Sequence, residues 1–161
     1  MHNFSPIIAV RDRKLNALKE EEREIQITCA VARNRTQEAF AAMNAYAEEI
    51  RTLEIDLLNE LLETELRAID IAGIEGQLKK AEQKAQELAA SYQAAQRLLE
   101  ATEKEASQTR AKRVQAQAKL NKVTELNRLM ENERRLEMNR LQDAEQDEFM
   151  DSFSPSSNGF F

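Results

Sequence analysis

Apolar side chains recur at alternating intervals of three and four residues through most of this chain. With position a at Leu15, Glu22, Cys29, Thr36, Met43, Ile50 and Leu57, position d falls on Leu18, Ile25, Ala32, Ala39, Tyr46 and Leu53. Only Glu22 and Thr36 break the apolar seam. Six heptads without a slip mark a coiled coil rather than the looser stripe of a globular helix. After Leu57 the phase slips, and Leu58, Leu61, Leu62, Leu66 and Ile69 form a broader apolar face. A second heptad run follows. Its d positions are Ile74, Ala81, Leu88, Ala95, Thr102, Thr109, Ala116 and Val123. Its a positions are Leu78, Ala85, Tyr92, Leu99, Ala106, Arg113 and Leu120. Beyond Val123, the residues Leu126, Leu129, Met130, Leu136, Met138 and Leu141 keep no single frame.

Between the two runs lies Ile69-Asp70-Ile71-Ala72-Gly73-Ile74-Glu75-Gly76, which holds two of the three glycines. Glycine commonly follows a helix because it takes the left-handed conformation without a Cβ penalty. The pattern therefore predicts an all-α fold, a long antiparallel two-helix coiled-coil hairpin with a bend near Gly73–Gly76. The first helix is expected from about residue 6 to 72, with Ser5 as cap and Pro6 in the first turn. The second is expected from about 76 to 150. Residues 1–151 would form one hairpin. The Ser-, Pro- and Gly-rich stretch 152–161 would be a mobile tail. The alternative is one unbroken helix that tolerates both glycines at about 1 kcal/mol each.

A fold about residue 74 pairs residues whose numbers sum to roughly 148 and gives a rod of roughly 100 Å at 1.5 Å per residue. The small residues Cys29, Ala32, Thr36 and Ala39 would then face Thr109, Arg113, Ala116 and Leu120.

Composition agrees with long helices. Charged residues make up 32% of the 161 and aromatics 5%, with three glycines, two prolines and no tryptophan. A narrow apolar stripe can be buried only against another stripe. The lone Cys29 lies on that stripe, so a buried thiol is expected rather than a disulfide. No apolar run is long enough to span a membrane, and no secretory pattern opens the chain, so a cytosolic protein without membrane insertion is expected.

The formal charge of −6 disfavours nucleic acid and anionic membrane as partners. Charge is banded. Residues 106–124 carry Arg110, Lys112, Arg113, Lys119 and Lys122 with no acid, and 25–37 add Arg33 and Arg35. If these bands face each other they form a basic collar that could meet an acidic partner. Uneven but solvated surface charge is the plain alternative.

The ingredients of catalysis are scarce. The only histidine is His2, one His and one Cys cannot build a metal cluster, and no glycine loop could cradle phosphate. The carboxylates on a thin rod lack a pocket to shift them. The expectation is a non-enzyme with no catalytic residue, metal or cofactor, acting by length, shape and surface. Five of six phenylalanines (Phe4, Phe149, Phe153, Phe160, Phe161) lie near the termini, where a hairpin would bring them together as an anchor or an end closure.

The opening Phe4-Ser5-Pro6-Ile7-Ile8-Ala9-Val10-Arg11-Asp12-Arg13-Lys14 sets an aliphatic start before a basic run. The closing Asp143-Ala144-Glu145-Gln146-Asp147-Glu148-Phe149 is an acidic patch ending in Asp-Glu-Phe. With the mid-chain bend, the chain resembles the central-stalk proteins of type III secretion, the YscO-like proteins of injectisomes and the related FliJ of the flagellar export apparatus. The resemblance implies a monomeric stalk at the cytoplasmic face of the secretion apparatus. Its paired termini would enter a hexameric secretion ATPase, and its other part would reach toward the export gate protein. Family members are also linked to secretion chaperones. By motif match, Arg11, Arg13, Lys14, Asp147, Glu148 and Phe149 would lie at the ATPase end. The tail from Ser154 departs from the family pattern. The alternatives are a cytosolic chaperone or tether that clamps a partner helix, and a parallel structural homodimer without a hairpin.

Overall fold

The computed structural model describes residues 3–63 and 67–153. Helix α1 spans Ser5–Glu63 and helix α2 spans Ala68–Phe153. The two pack against each other as an antiparallel hairpin. Thr36 meets Ala95, Phe40 meets Tyr92 and Lys84 lies over Tyr46, so the partner number falls on α2 as it rises on α1. This intrachain pairing is that of a hairpin and not of one unbroken helix. By packing, the residues fall into two units, Lys19–Ala111 and Met1–Leu18 with Lys112–Phe161.

The heptad frame is the buried seam. Every α1 residue that is not exposed lies on it, from Ile8 and Arg11 through all thirteen positions Leu15 to Leu57. On α2, Leu78 is the one exposed member of the fifteen. The frame also runs further than the apolar pattern suggests. Asn127 and Met130 continue it and are half-buried, while Leu126 and Leu129 stand off it and are exposed.

The break between the helices corrects the predicted bend. Gly73 and Gly76 lie inside α2, without positive φ and with nothing near an added Cβ. The helix starts instead at a cap upstream of them. Asp70 Oδ2 accepts the Arg67 N–H at 3.2 Å, and Arg67 O accepts from Asp70 N and Ile71 N. A third-position carboxylate reaching back in this way satisfies an orphan donor and favours the positive helix end. Leu66, counted in the apolar face near the bend, lies outside the described residues.

The register shifts accordingly. The residue numbers of the facing pairs Thr36–Ala95, Phe40–Tyr92 and Tyr46–Lys84 sum to roughly 130, not 148. The expected meeting of Cys29, Ala32, Thr36 and Ala39 with Thr109, Arg113, Ala116 and Leu120 is thereby overturned. Small still lies level with small, because Cys29 now falls opposite Thr102.

In the unit 19–111 the seam is thin. Its buried residues are Cys29, Ala32, Leu57, Ala81, Thr102 and Thr109. Thr36 Oγ1 donates to Ala32 O at 2.8 Å and reaches Ala95 O at 3.3 Å across the seam. Thr102 Oγ1 donates to Leu98 O at 2.7 Å. These bonds let hydroxyls sit where methyls would, without an unsatisfied group. The half-buried Tyr46 and Tyr92 pack as expected for seam positions. The Tyr92 ring lies 5.3 Å from that of Phe40, and its hydroxyl accepts from Gln96 Nε2.

In the other unit Leu15 and Ala116 are the buried apolar residues. The start of α1 is capped by Asn3 rather than Ser5, because the Ser5 N–H donates to Asn3 Oδ1 at 3.1 Å. Ile8 N donates to Phe4 O at 2.9 Å. From residue 133 to 152 every α2 residue is exposed. The shorter α1 has no residues left to cover them. Of the predicted tail, Ser152 and Phe153 end α2, and 154–161 lie outside the described residues.

Gly73→Ala should raise stability by about 0.5–1 kcal/mol, since a helical glycine loses more entropy than alanine. Thermal unfolding followed by circular dichroism tests it, and a loss of stability would restore the glycine bend. Leu57→Ala should cost about 2–3 kcal/mol, whereas the exposed neighbour Leu58→Ala should stay within about 0.5 kcal/mol.

Candidate protein-interaction groove

The heads of α1 and α2's middle do more than close the seam. Pro6, Ile7, Val10, Arg11, Lys14 and Leu18 face Lys112, Gln115, Ala116 and Lys119 across a groove of about 890 Å³. All ten residues belong to one packed unit. The α1 residues recur every three to four positions over the thirteen residues Pro6 to Leu18, so the groove is a trough of roughly 18 Å along the helix. Its floor is apolar. Ile7 is 45% exposed and Val10 64%, although both are large aliphatics. Its rim carries four cations, Arg11, Lys14, Lys112 and Lys119, and no acid.

The arrangement suits an elongated ligand with an apolar stripe and negative flanks. Exposed apolar surface supplies the burial, and the unopposed cations supply orientation and long-range attraction. Among the described residues no group of three or more His, Cys, Asp or Glu stands where it could hold a metal ion. No helix among them is long and apolar enough to cross a membrane. Cys29 is buried and free, as expected for a seam thiol.

The predicted site residues are divided by this geometry. Arg11 and Lys14 line the groove, while Arg13 is exposed and does not. Asp147, Glu148 and Phe149 are exposed on α2's far segment. They lie 28 or more residues beyond Lys119, which is roughly 40 Å of helix. The expectation that the two motifs sit side by side is therefore corrected. The upstream break shifts the pairing, so α1's head lies level with α2's middle. Phe4 and Phe149 are parted for the same reason, and Phe160 and Phe161 lie outside the described residues.

The collar is corrected too. Arg33 Nε lies 3.6 Å from Glu103 Oε1, so an acid stands where an acid-free band was expected. Arg35 and Arg110 are exposed in the unit 19–111. Lys112, Arg113, Lys119 and Lys122 belong to the other unit, where Lys112 and Lys119 join Arg11 and Lys14 instead.

Sequence reasoning missed Ile7, Val10 and Gln115 as parts of one surface. The available signal was that Ile7 and Val10 are apolar yet off the seam.

Just past the groove, Arg128 holds the Glu125 carboxyl, with Nη2 to Oε1 at 2.6 Å. That hydrogen bond, aided by the guanidinium charge, holds the carboxyl below the usual glutamate range and raises Arg128. Both side chains are more than half exposed, so the pair tunes charge more than stability.

No family model, curated protein or solved structure matches this chain.

Val10→Ser should leave stability within about 0.5 kcal/mol, because a groove residue at this exposure is not core; chemical denaturation measures it. The Glu125 carboxyl should titrate below the usual glutamate range by NMR and return to it in Arg128→Gln. A lowered carboxylate contributes above the usual glutamate range and loses that contribution as pH falls through its own value.

Proposed function

We propose that this protein is a non-catalytic helical-hairpin stalk of a type III secretion export apparatus, engaging a hexameric ATPase through the groove at the head of α1. The secretion assignment draws on the likeness of the opening and closing motifs to central-stalk proteins. The observation that carries the mode of action is the groove, where four cations surround exposed Ile7 and Val10. Surface of this kind is costly to leave in water and useful against an acidic, partly apolar partner.

In this reading the seam supplies stiffness and the groove supplies attachment. Arg11 and Lys14 steer an acidic surface of the ATPase toward the apolar floor, and Ile7 and Val10 give the contact its lifetime. The remaining parts of the hairpin face the export gate or a chaperone. Its place of work is the cytoplasmic face of the apparatus.

A second reading is a tether that holds a partner helix along α2's distal segment. It is favoured by the exposure of Leu136, Met138 and Leu141, at 61–62% each.

Arg11→Glu with Lys14→Glu should weaken co-purification with the ATPase and stimulation of its hydrolysis by about tenfold or more, with helicity unchanged. Full stimulation by the double variant would reject the groove as the attachment point. If the wild-type chain leaves every secretion ATPase tested unaffected, the stalk reading itself fails.

A further inference from the structure

Next to the seam, α2 carries a second stripe at three- and four-residue spacing. It begins with Lys112, Gln115 and Lys119, which line the groove, and continues through Lys122. Its middle is mostly apolar, with Leu126, Leu129 and Leu136 exposed at 50%, 48% and 61%, interrupted by Glu133 and followed by Arg140. Its far third holds Asp143 and Asp147, within a stretch from residue 141 to 153 that has five acids and no base. One helix face thus has a basic end, a mostly apolar middle and an acidic end, with Glu133 and Arg140 as its exceptions, and all of it lies in one packed unit.

Such a stripe is its own complement when two copies run antiparallel. We infer that the groove receives the acidic distal segment of α2 from a second copy of this chain, and that the second copy's groove receives the first's in return. The two-fold axis then falls near Glu131. Lys119 stands opposite Asp143, Gln115 opposite Asp147 and Leu126 opposite Leu136. Lys122 opposite Arg140 is the one like-charge pair in the stripe. Arg11 and Lys14 of α1 close over the incoming segment from the other side of the groove. The contact is isologous and closes on itself, so it ends at a dimer.

A chain's own acidic segment cannot fill its own groove. Asp143 lies 24 residues along the same unbroken helix from Lys119, roughly 36 Å away. A second copy has no such constraint. It also covers the twenty residues, 133–152, for which α1 has no counterpart. This inference stands apart from the secretion reading. The two meet at the groove, so binding of an ATPase there would require the dimer to open.

Sedimentation equilibrium of the full chain at tens of micromolar and low salt tests it. The expected mass is twice the 18.5 kDa of one chain, falling toward one chain as salt is raised. Lys112→Glu with Lys119→Glu should weaken association by about 10- to 100-fold, and so should Asp143→Lys with Asp147→Lys. All four positions are exposed, so the fold should tolerate the changes. Mixing the two variants should restore dimers, because each variant's groove then meets a segment of opposite charge. A chain that stays at 18.5 kDa, or a dimer indifferent to both reversals, or a mixture that does not recover, would each overturn the inference. As a geometric check, Gln115→Cys with Asp147→Cys should give cross-linked dimers on oxidation, whereas Asp147→Cys alone should not.

Discussion

One constraint governs this molecule: a helix face can be buried only where a second helix lies against it. Helix α2 is longer than α1 can cover. Helix α1 has 59 residues and α2 has 86. The break between Glu63 and Ala68 fixes which residues meet, and every other feature follows from that register. It sets Thr36 against Ala95 and brings Lys112 and Lys119 beside Arg11 and Lys14. It leaves 133–152 uncovered. Moving the break by four or five residues would move every facing pair by about nine, more than one heptad. The cap at Arg67 and Asp70 thus has consequences far from itself.

The seam is built more for close approach than for mass. Alanine, threonine and cysteine fill most of its buried positions, and large apolar residues are few. Small residues bury little area each, so no single contact dominates. Threonines are tolerated because their hydroxyls return to carbonyls of the preceding turn. The described ion pairs, such as Arg33–Glu103 and Arg51–Glu48, have side chains about half or more exposed and contribute little apiece. Stability is spread along the chain, which leaves the flanking faces free to carry function.

The heptad was legible almost residue by residue. All thirteen predicted α1 seam positions are covered, because a period of 3.5 has one face whatever the partner. The turn was less legible. Glycine at Gly73 read as a stop, but it only permits one, and packing over a long helix outweighs about 1 kcal/mol. The operative signal was Asp70, three residues after Arg67. Everything that depended on pairing inherited that error: the facing of small residues, the collar with Arg33 and Arg110, and the adjacency of Arg11 to Glu148. The groove was invisible for a related reason. Its residues come from two distant stretches, and only the correct register joins them.

Segregated charge on one helix face is not a neutral outcome of solubility. A soluble surface is served equally well by interspersed signs, which cost less in self-repulsion. Here four cations converge on one trough while five acids gather on the same helix beyond its paired part. Each cluster raises its own local potential, and neither can relieve the other within one hairpin, because α2 is continuous between them. Relief comes from counterions or from another molecule. The apolar residues on the same stripe give that encounter something to bury, and the reversal of sign along the stripe gives it a direction. Under the proposed pairing, the groove is a surface for which a second copy's far end and an acidic partner would compete.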